Sequence, residues 1–129
     1  MCLAVFIASD RPPVLVPWDE TAPAFNVVPV SEREQIVRQQ FSLGHTVYAG
    51  AHTRCGCGFR DDQDPAAAAR SRAALLQYLE RAAATGPVEL FVCWEGDWAK
   101  LPRTRADRSL ASLRADLDWL DELAFTRVT

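Results

Sequence analysis

The chain has 129 residues, of which 49% are hydrophobic and 24% are charged, and its formal net charge is −3. This length supports one ordinary hydrophobic core and is short for two, so we expect a single α/β domain over residues 1–129. The charges are spread along the chain without a basic cluster, which argues against a nucleic-acid partner.

The first ten residues, MCLAVFIASD, are apolar from the start and contain no Lys or Arg. A signal peptide begins with a basic region and a membrane span needs roughly 20 apolar residues, so the sequence predicts neither, and no membrane partner. We therefore expect a cytoplasmic protein. Thiols stay reduced in that compartment, so the four cysteines are better suited to metal binding or redox chemistry than to a disulfide framework.

In chain order, residues 3–8 are a continuous apolar run, typical of a central strand that is buried on both faces. Prolines at positions 12, 13, 17 and 23 exclude a helix in the next segment, where residues 14–16 could pair briefly at a sheet edge. Residues 25–30 predict a second strand. We expect Trp18, between these strands, to fold back over the core.

A short helix is predicted next, because Ser31 is followed by Glu34 at the capping-box spacing. Gly44 ends this helix, and residues 45–51 form a third strand with Val47 and Ala49 on one face and Tyr48 on the other. Each of these boundaries rests on local residue chemistry alone.

The second half of the chain begins with a strong helix start at Asp64 and Pro65, and this helix should run to about Ala84. Residues 88–94 are the clearest strand in the chain. A third helix is expected from Thr104, with Asp107 at the capping-box position and leucines at 110, 113, 117 and 120 on one face. Residues 124–128 predict a last strand.

This order of elements predicts an α/β or α+β fold: a single small domain with about five strands in one mixed sheet and three helices.

The segment HTRCGCGFRDD, residues 52–62, carries the strongest indication of chemistry. Cysteines at i and i+2 of an extended backbone point to the same side, and a histidine nearby can add a nitrogen ligand. A zinc site needs a fourth ligand, which a cysteine at a neighbouring strand end could provide if the first strand and the strand at 88–94 are antiparallel. The leading hypothesis is a transition-metal site, most simply zinc, with ligands drawn from Cys55, Cys57, His52, Cys93 and Cys2.

Thiol redox chemistry at Cys55 and Cys57 is the alternative. A disulfide between residues i and i+2 closes a small, strained ring, which makes it easy to reduce. Arg54 and Arg60 flank the pair and favour thiolate, whereas the acids that follow them oppose it. A purely structural explanation also remains open, in which Gly56 and Gly58 make a bend with positive φ and the cysteines are merely small residues that fit.

Cys2 supports a further hypothesis, since removal of Met1 would leave an N-terminal cysteine whose amine can act as base for its own thiol. In this respect MCLAVFIA resembles the start of class II glutamine amidotransferases and other N-terminal-nucleophile hydrolases. The resemblance covers about eight residues, and the chain has no later Asn-Gly or Arg-Gly segment like theirs. It implies a nucleophilic role for Cys2.

A last possibility is a non-enzymatic interaction module with a protein partner. The chain has four tryptophans, and any that are exposed, together with the proline-rich segment, could form a binding surface.

Overall fold

A computed structural model describes residues 2–22 and 24–129; Met1, whose removal would expose Cys2, and Pro23 lie outside the described residues. The strands are β1 (Leu3–Ser9), β2 (Phe25–Pro29), β3 (His45–Ala51), β4 (Val88–Trp94), β5 (Thr104–Arg108) and β6 (Ala124–Val128). The helices are α1 (Pro65–Ala83) and α2 (Leu110–Ala115), with short 3-10 helices at Glu32–Gln40, Gly56–Arg60 and Asp118–Leu120.

All six strands form one mixed sheet in the order β2-β3-β1-β4-β6-β5. The predicted fold class is therefore confirmed, with one strand more than expected. β1 lies inside the sheet, antiparallel to both β3 and β4, as its continuous apolar sequence indicated. Among the strand pairs of the described residues, β5 and β6 are the one parallel pair.

The sheet is covered on both faces. On one face, Val5 and Leu90 belong to a buried cluster that includes Leu75 and Leu79 of α1. On the other face, Phe6, Phe91 and Phe125 pack with Val37 of the first 3-10 helix. β1 and β4 are buried on both sides because alternate residues serve the two clusters.

Two predicted helix starts are confirmed. Asp64 Oδ1 accepts the Ala67 backbone N–H at 3.1 Å, with Pro65 in the first turn. Glu34 Oε1 accepts the Ser31 backbone N–H at 3.1 Å, as a capping box requires, although the residues that follow form a 3-10 helix.

The helix predicted from Thr104 is wrong at its beginning. Thr104–Arg108 instead form the edge strand β5, since the backbone there finds hydrogen-bonding partners along β6. The helix starts only at Leu110, where Ser109 Oγ caps the Ser112 N–H at 3.1 Å. The leucines at 110, 113, 117 and 120 have a helical spacing. The same spacing also fits a short helix that is followed by a separate 3-10 turn.

At the opposite edge, Val16 and Val27 exchange backbone hydrogen bonds of 3.0 and 2.9 Å, which confirms the predicted brief pairing of the proline-rich segment. Trp18 nearby is half-buried. In the part of the chain that the structure describes, no helix is long and apolar enough to cross a membrane.

Candidate thiol site

The loop after β3 turns back sharply on itself. The Ala51 N–H donates to the Cys55 carbonyl at 3.0 Å, and the Arg54 N–H donates to the Ala51 carbonyl at 2.9 Å. Arg54 occupies the left-handed region of backbone space, with φ of 68°. Cys55 is still extended, whereas Cys57 lies inside the 3-10 helix, so the expectation that both cysteines share one extended segment is wrong.

The two glycines of the loop do not have the positive φ expected from the sequence. They are needed for close packing instead. A Cβ on Gly56 would lie 2.8 Å from the Leu3 carbonyl oxygen, and one on Gly58 would lie 2.6 Å from Thr53 Oγ1. The missing side chain of Gly56 allows the loop to press against β1, and that of Gly58 allows the loop to fold tightly on itself, which brings its cysteines to the first residues of the chain.

Three thiols come together where the loop meets β1. Cys57 Sγ accepts the Leu3 backbone N–H at 3.1 Å. The thiols of Cys2 and Cys57 lie close enough to Cys55 to shift its pKa, and the Thr53 hydroxyl lies 3.5 Å from Cys55 Sγ. Cys2, Cys55 and Cys57 are all partly exposed, so the group is open to solvent. We call these three residues the thiol site.

The three thiols differ in the direction in which their surroundings shift the pKa. Burial opposes ionisation of Cys55, but hydrogen bonds from Thr53, the Cys57 backbone N–H and the neighbouring thiols outweigh it and lower its pKa. The bond with Cys55 raises the pKa of Cys2, and burial raises the pKa of Cys57. Cys55 is therefore the residue of the three that is favoured as the thiolate.

Tyr48 lies close enough to this site to feel its charge. Burial raises the pKa of the Tyr48 phenol well above its usual value, and the negative charge of Cys55 adds to this effect. Its ring packs edge-on against Phe6, with centroids 5.7 Å apart. Tyr48 therefore stays a neutral phenol and adds no charge near the thiol site.

The arginines that flank the cysteines are engaged elsewhere. The Arg54 guanidinium lies 4.6 Å from the centre of the Trp18 ring and 3.4 Å from Glu20. Arg60 pairs with Asp121. Hydrogen bonds, rather than the neighbouring arginines that the sequence suggested, therefore lower the pKa of Cys55.

Cys93 does not join the thiol site. The antiparallel pairing of β1 and β4, which was the condition for a four-ligand site, is present, and Cys93 lies opposite Ala4, two residues after Cys2. Its side chain is fully buried in the phenylalanine-rich cluster, and burial raises the pKa of the thiol to about 12. Cys93 is an inert core residue.

His52 is held by two other side chains. Its Nδ1 lies 3.0 Å from Ser71 Oγ, and its Nε2 lies 3.2 Å from Asp61 Oδ2. The three residues are of the types found in hydrolase triads, but Ser71 is fully buried in α1 and sits on the ring nitrogen opposite to the one that such a nucleophile uses. This group braces the loop.

The five predicted metal ligands are therefore only partly assembled. Cys2, Cys55 and Cys57 meet, His52 has both ring nitrogens occupied, and Cys93 is buried elsewhere. Among residues 2–22 and 24–129, no three His, Cys, Asp or Glu side chains are arranged to hold a metal ion. Metal binding by these residues stays a prediction.

Sequence reasoning missed the contacts that Thr53, Asp61 and Ser71 make with Cys55 and His52. Only Ser71 carried a usable signal, because it occupies a helical position between the buried Ala68 and Leu75, where a polar side chain needs a partner. The other contacts depend on how β1, β3 and the loop meet in three dimensions.

Comparison of the chain with protein-family models, curated proteins and solved structures found no match. The likeness of the first eight residues to N-terminal-nucleophile hydrolases gains no support from these comparisons. Those enzymes have a four-layer fold, whereas this chain has a single sheet. The functional argument therefore rests on the thiol site itself.

Proposed function

We propose that this protein carries out thiol–disulfide exchange, with Cys55 as the attacking thiolate and Cys57 as the resolving thiol. The observation that supports this most is the meeting of three partly exposed thiols at Cys55, whose sulfur lies 3.5 Å from the Thr53 hydroxyl and whose pKa is lowered. A thiolate that is stabilised and accessible is what such chemistry requires. Cys57 is the neighbour anchored nearby, through its bond from the Leu3 N–H.

The exchange has two steps. The Cys55 thiolate attacks one sulfur of a substrate disulfide, the substrate S–S bond breaks, and the other sulfur leaves as a thiolate. Cys57 then gives its proton to water, and its sulfur attacks Cys55 Sγ, which releases the second substrate thiolate. The substrate gains two electrons, and the protein is left with a Cys55–Cys57 disulfide.

The disulfide product suits a reversible role. The ring formed across a single residue is strained, so the oxidised protein readily returns to the dithiol when a small thiol such as glutathione supplies the electrons. This cycle needs a reducing compartment. We therefore propose that the protein is cytoplasmic, as the sequence led us to expect.

Thiol trapping tests the proposal. The protein is equilibrated with mixtures of reduced and oxidised glutathione, quenched by alkylation, and mapped by peptide mass spectrometry. We expect Cys55 and Cys57 to be protected together as an internal disulfide. Cys55→Ser should leave Cys57 open to alkylation, whereas Cys57→Ser should leave Cys55 protected only as its mixed disulfide with glutathione. Cys93→Ala is the matched control and should leave the titration unchanged.

Two results would contradict the proposal. A disulfide between Cys2 and Cys55, instead of one between Cys55 and Cys57, would overturn the resolving role given to Cys57. Full alkylation of every exposed thiol at all glutathione ratios would overturn exchange chemistry as a whole.

Zinc binding at the same thiols is the second candidate. It requires the three thiols to rearrange around the ion, and it is favoured by the Leu3 N–H bond to Cys57, since hydrogen bonds from the protein commonly support metal ligands. Stoichiometric zinc lost on Cys55→Ser would favour this candidate over redox exchange.

A further inference from the structure

A cleft lies at the Ser9 end of β1, whereas the thiol site lies at the Leu3 end. It forms between the proline-rich segment, the end of β1 and the last turns of α1, and it has a volume of about 420 Å³. The Tyr78 hydroxyl donates to the Val14 carbonyl at 2.7 Å and ties the segment to the helix. The cleft is thus built by a defined tertiary contact.

The interior of this cleft is largely apolar. Side chains of Ile7, Val16 and Ala82 line it, and the prolines at 12 and 13 form part of its wall. Val14, at its margin, is 73% exposed. An exposed apolar surface of this kind, next to a concave apolar wall, is typical of a binding site for a hydrophobic group.

Two cationic side chains, Arg11 and Arg81, also line the cleft. Across residues 2–22 and 24–129, ion pairs are found for seven other arginines, but neither of these two lies within 4.0 Å of a carboxylate. The lining contains no acid, and the carboxylate of Asp10 lies against Gly86. The cleft therefore combines apolar walls with two free positive charges.

The nearby end of α1 does not cancel this charge. The carbonyl groups of a helix end act as roughly half a negative charge, whereas the two guanidinium groups carry about two positive charges. In a chain whose net charge is −3, this leaves a locally positive apolar cleft. Guanidinium groups bind carboxylates and phosphates through charge-assisted hydrogen bonds.

We propose that this cleft binds an anionic amphiphile with a single alkyl chain. The chain would lie against Ile7, Val16 and Ala82, and the carboxylate or phosphate head would face Arg11 and Arg81. This site is independent of the thiol chemistry proposed above.

The proposal can be tested by titrating isotope-labelled protein with decanoate and following amide NMR shifts. Decyl phosphate, decanol and decyltrimethylammonium serve as comparison ligands. We expect saturable shifts at residues 7–16 and 78–85 for the two anions, with clearly weaker binding of the neutral and cationic compounds. The ratio of the two anion affinities tells a carboxylate ligand from a phosphate ligand.

Val14→Asp is the sharpest variant, because it adds a negative charge at an exposed position of the cleft. We expect it to weaken decanoate binding by at least about fivefold, and Arg81→Gln to act in the same direction. Leu15→Asp and Arg70→Gln are matched controls outside the lining, and both should bind decanoate as the unaltered chain does.

Three outcomes would overturn the proposal. These are shifts outside the cleft only, equal affinity for decanoate and decanol, and equal weakening by Val14→Asp and Leu15→Asp.

Discussion

Ser71 Oγ lies 3.0 Å from the backbone nitrogen of His52 and 3.0 Å from its ring Nδ1. A single buried hydroxyl thus joins α1 to the start of the loop that carries Cys55 and Cys57. The geometry also determines the tautomer of neutral His52. When the Ser71 hydroxyl accepts the His52 backbone N–H and donates to Nδ1, the ring proton lies on Nε2 and faces Asp61.

Replacing Ser71 by Ala should destabilise the protein. The change leaves the His52 N–H without its partner in a part-buried place, which costs about 2 kcal/mol of unfolding free energy. Urea denaturation measures the effect. Thr85→Ala removes an exposed helix-end hydroxyl and should cost less than about 0.5 kcal/mol; equal losses for the two variants would contradict the bracing role of Ser71.

Gly56→Ala should disturb both stability and the thiol site. Its Cβ would lie 2.8 Å from the Leu3 carbonyl oxygen and 3.0 Å from Val5 Cγ2, so β1 and the loop must separate. We expect a loss of about 2 kcal/mol in urea denaturation. Gly44→Ala, with nothing within 4 Å, is the control and should be neutral or slightly stabilising.

Glu89 lies in β4 and contacts none of the residues of the thiol site, so its replacement tests the stability of the fold separately from the thiol chemistry. Its side chain is 2% exposed and accepts hydrogen bonds from Ser42 N, Ser42 Oγ and Leu43 N. Glu89→Ala leaves these donors unpaired and should cost about 3 kcal/mol.

Glu80→Ala provides the control for that change, because the Glu80 side chain forms an exposed ion pair with Arg114. It should cost less than about 1 kcal/mol in the same denaturation measurement. Glu89→Ala unfolding at the same urea concentration as the unaltered chain would show that the buried carboxylate contributes nothing.

Thr53→Val tests how the reactivity of Cys55 is set. The Thr53 hydroxyl is among the groups that lower the pKa of Cys55, so its loss should raise that pKa. The thiolate is the reactive form, and the pH profile of Cys55 alkylation by iodoacetamide should therefore move to higher pH.

Two variants complete this experiment. Thr53→Ser keeps the hydroxyl and should keep the original profile, while Thr104→Val removes a distant exposed hydroxyl and should change nothing. A Cys55 profile that is the same in Thr53→Val as in the unaltered chain would exclude this hydrogen bond as a cause.

The sequence was most informative where local pattern and tertiary structure agree. The bounds of β3, β4 and β6 were predicted correctly, because each is a compact apolar or alternating run that pairs on both sides or closes the core. β5 was missed because TRADR is charged and exposed, and its strand conformation depends on pairing with β6.

The thiol site shows the same contrast between what local sequence pattern predicts and what depends on tertiary structure. Cys55 and Cys57 could be singled out from their spacing, but the exclusion of Cys93 depends on which face of β4 it occupies. The engagement of His52 by Ser71 depends on how α1 packs against the loop, and no sequence spacing encodes it.

The central claim is that Cys55 and Cys57 form a reversible disulfide, and intact mass under native and then denaturing conditions tests it most directly. After mild oxidation we expect a loss of about two mass units, reversed by reductant, present in Cys93→Ala and absent in Cys55→Ser and Cys57→Ser. A fully reduced mass in every sample, or a metal ion bound under native conditions and lost on denaturation, would contradict the account.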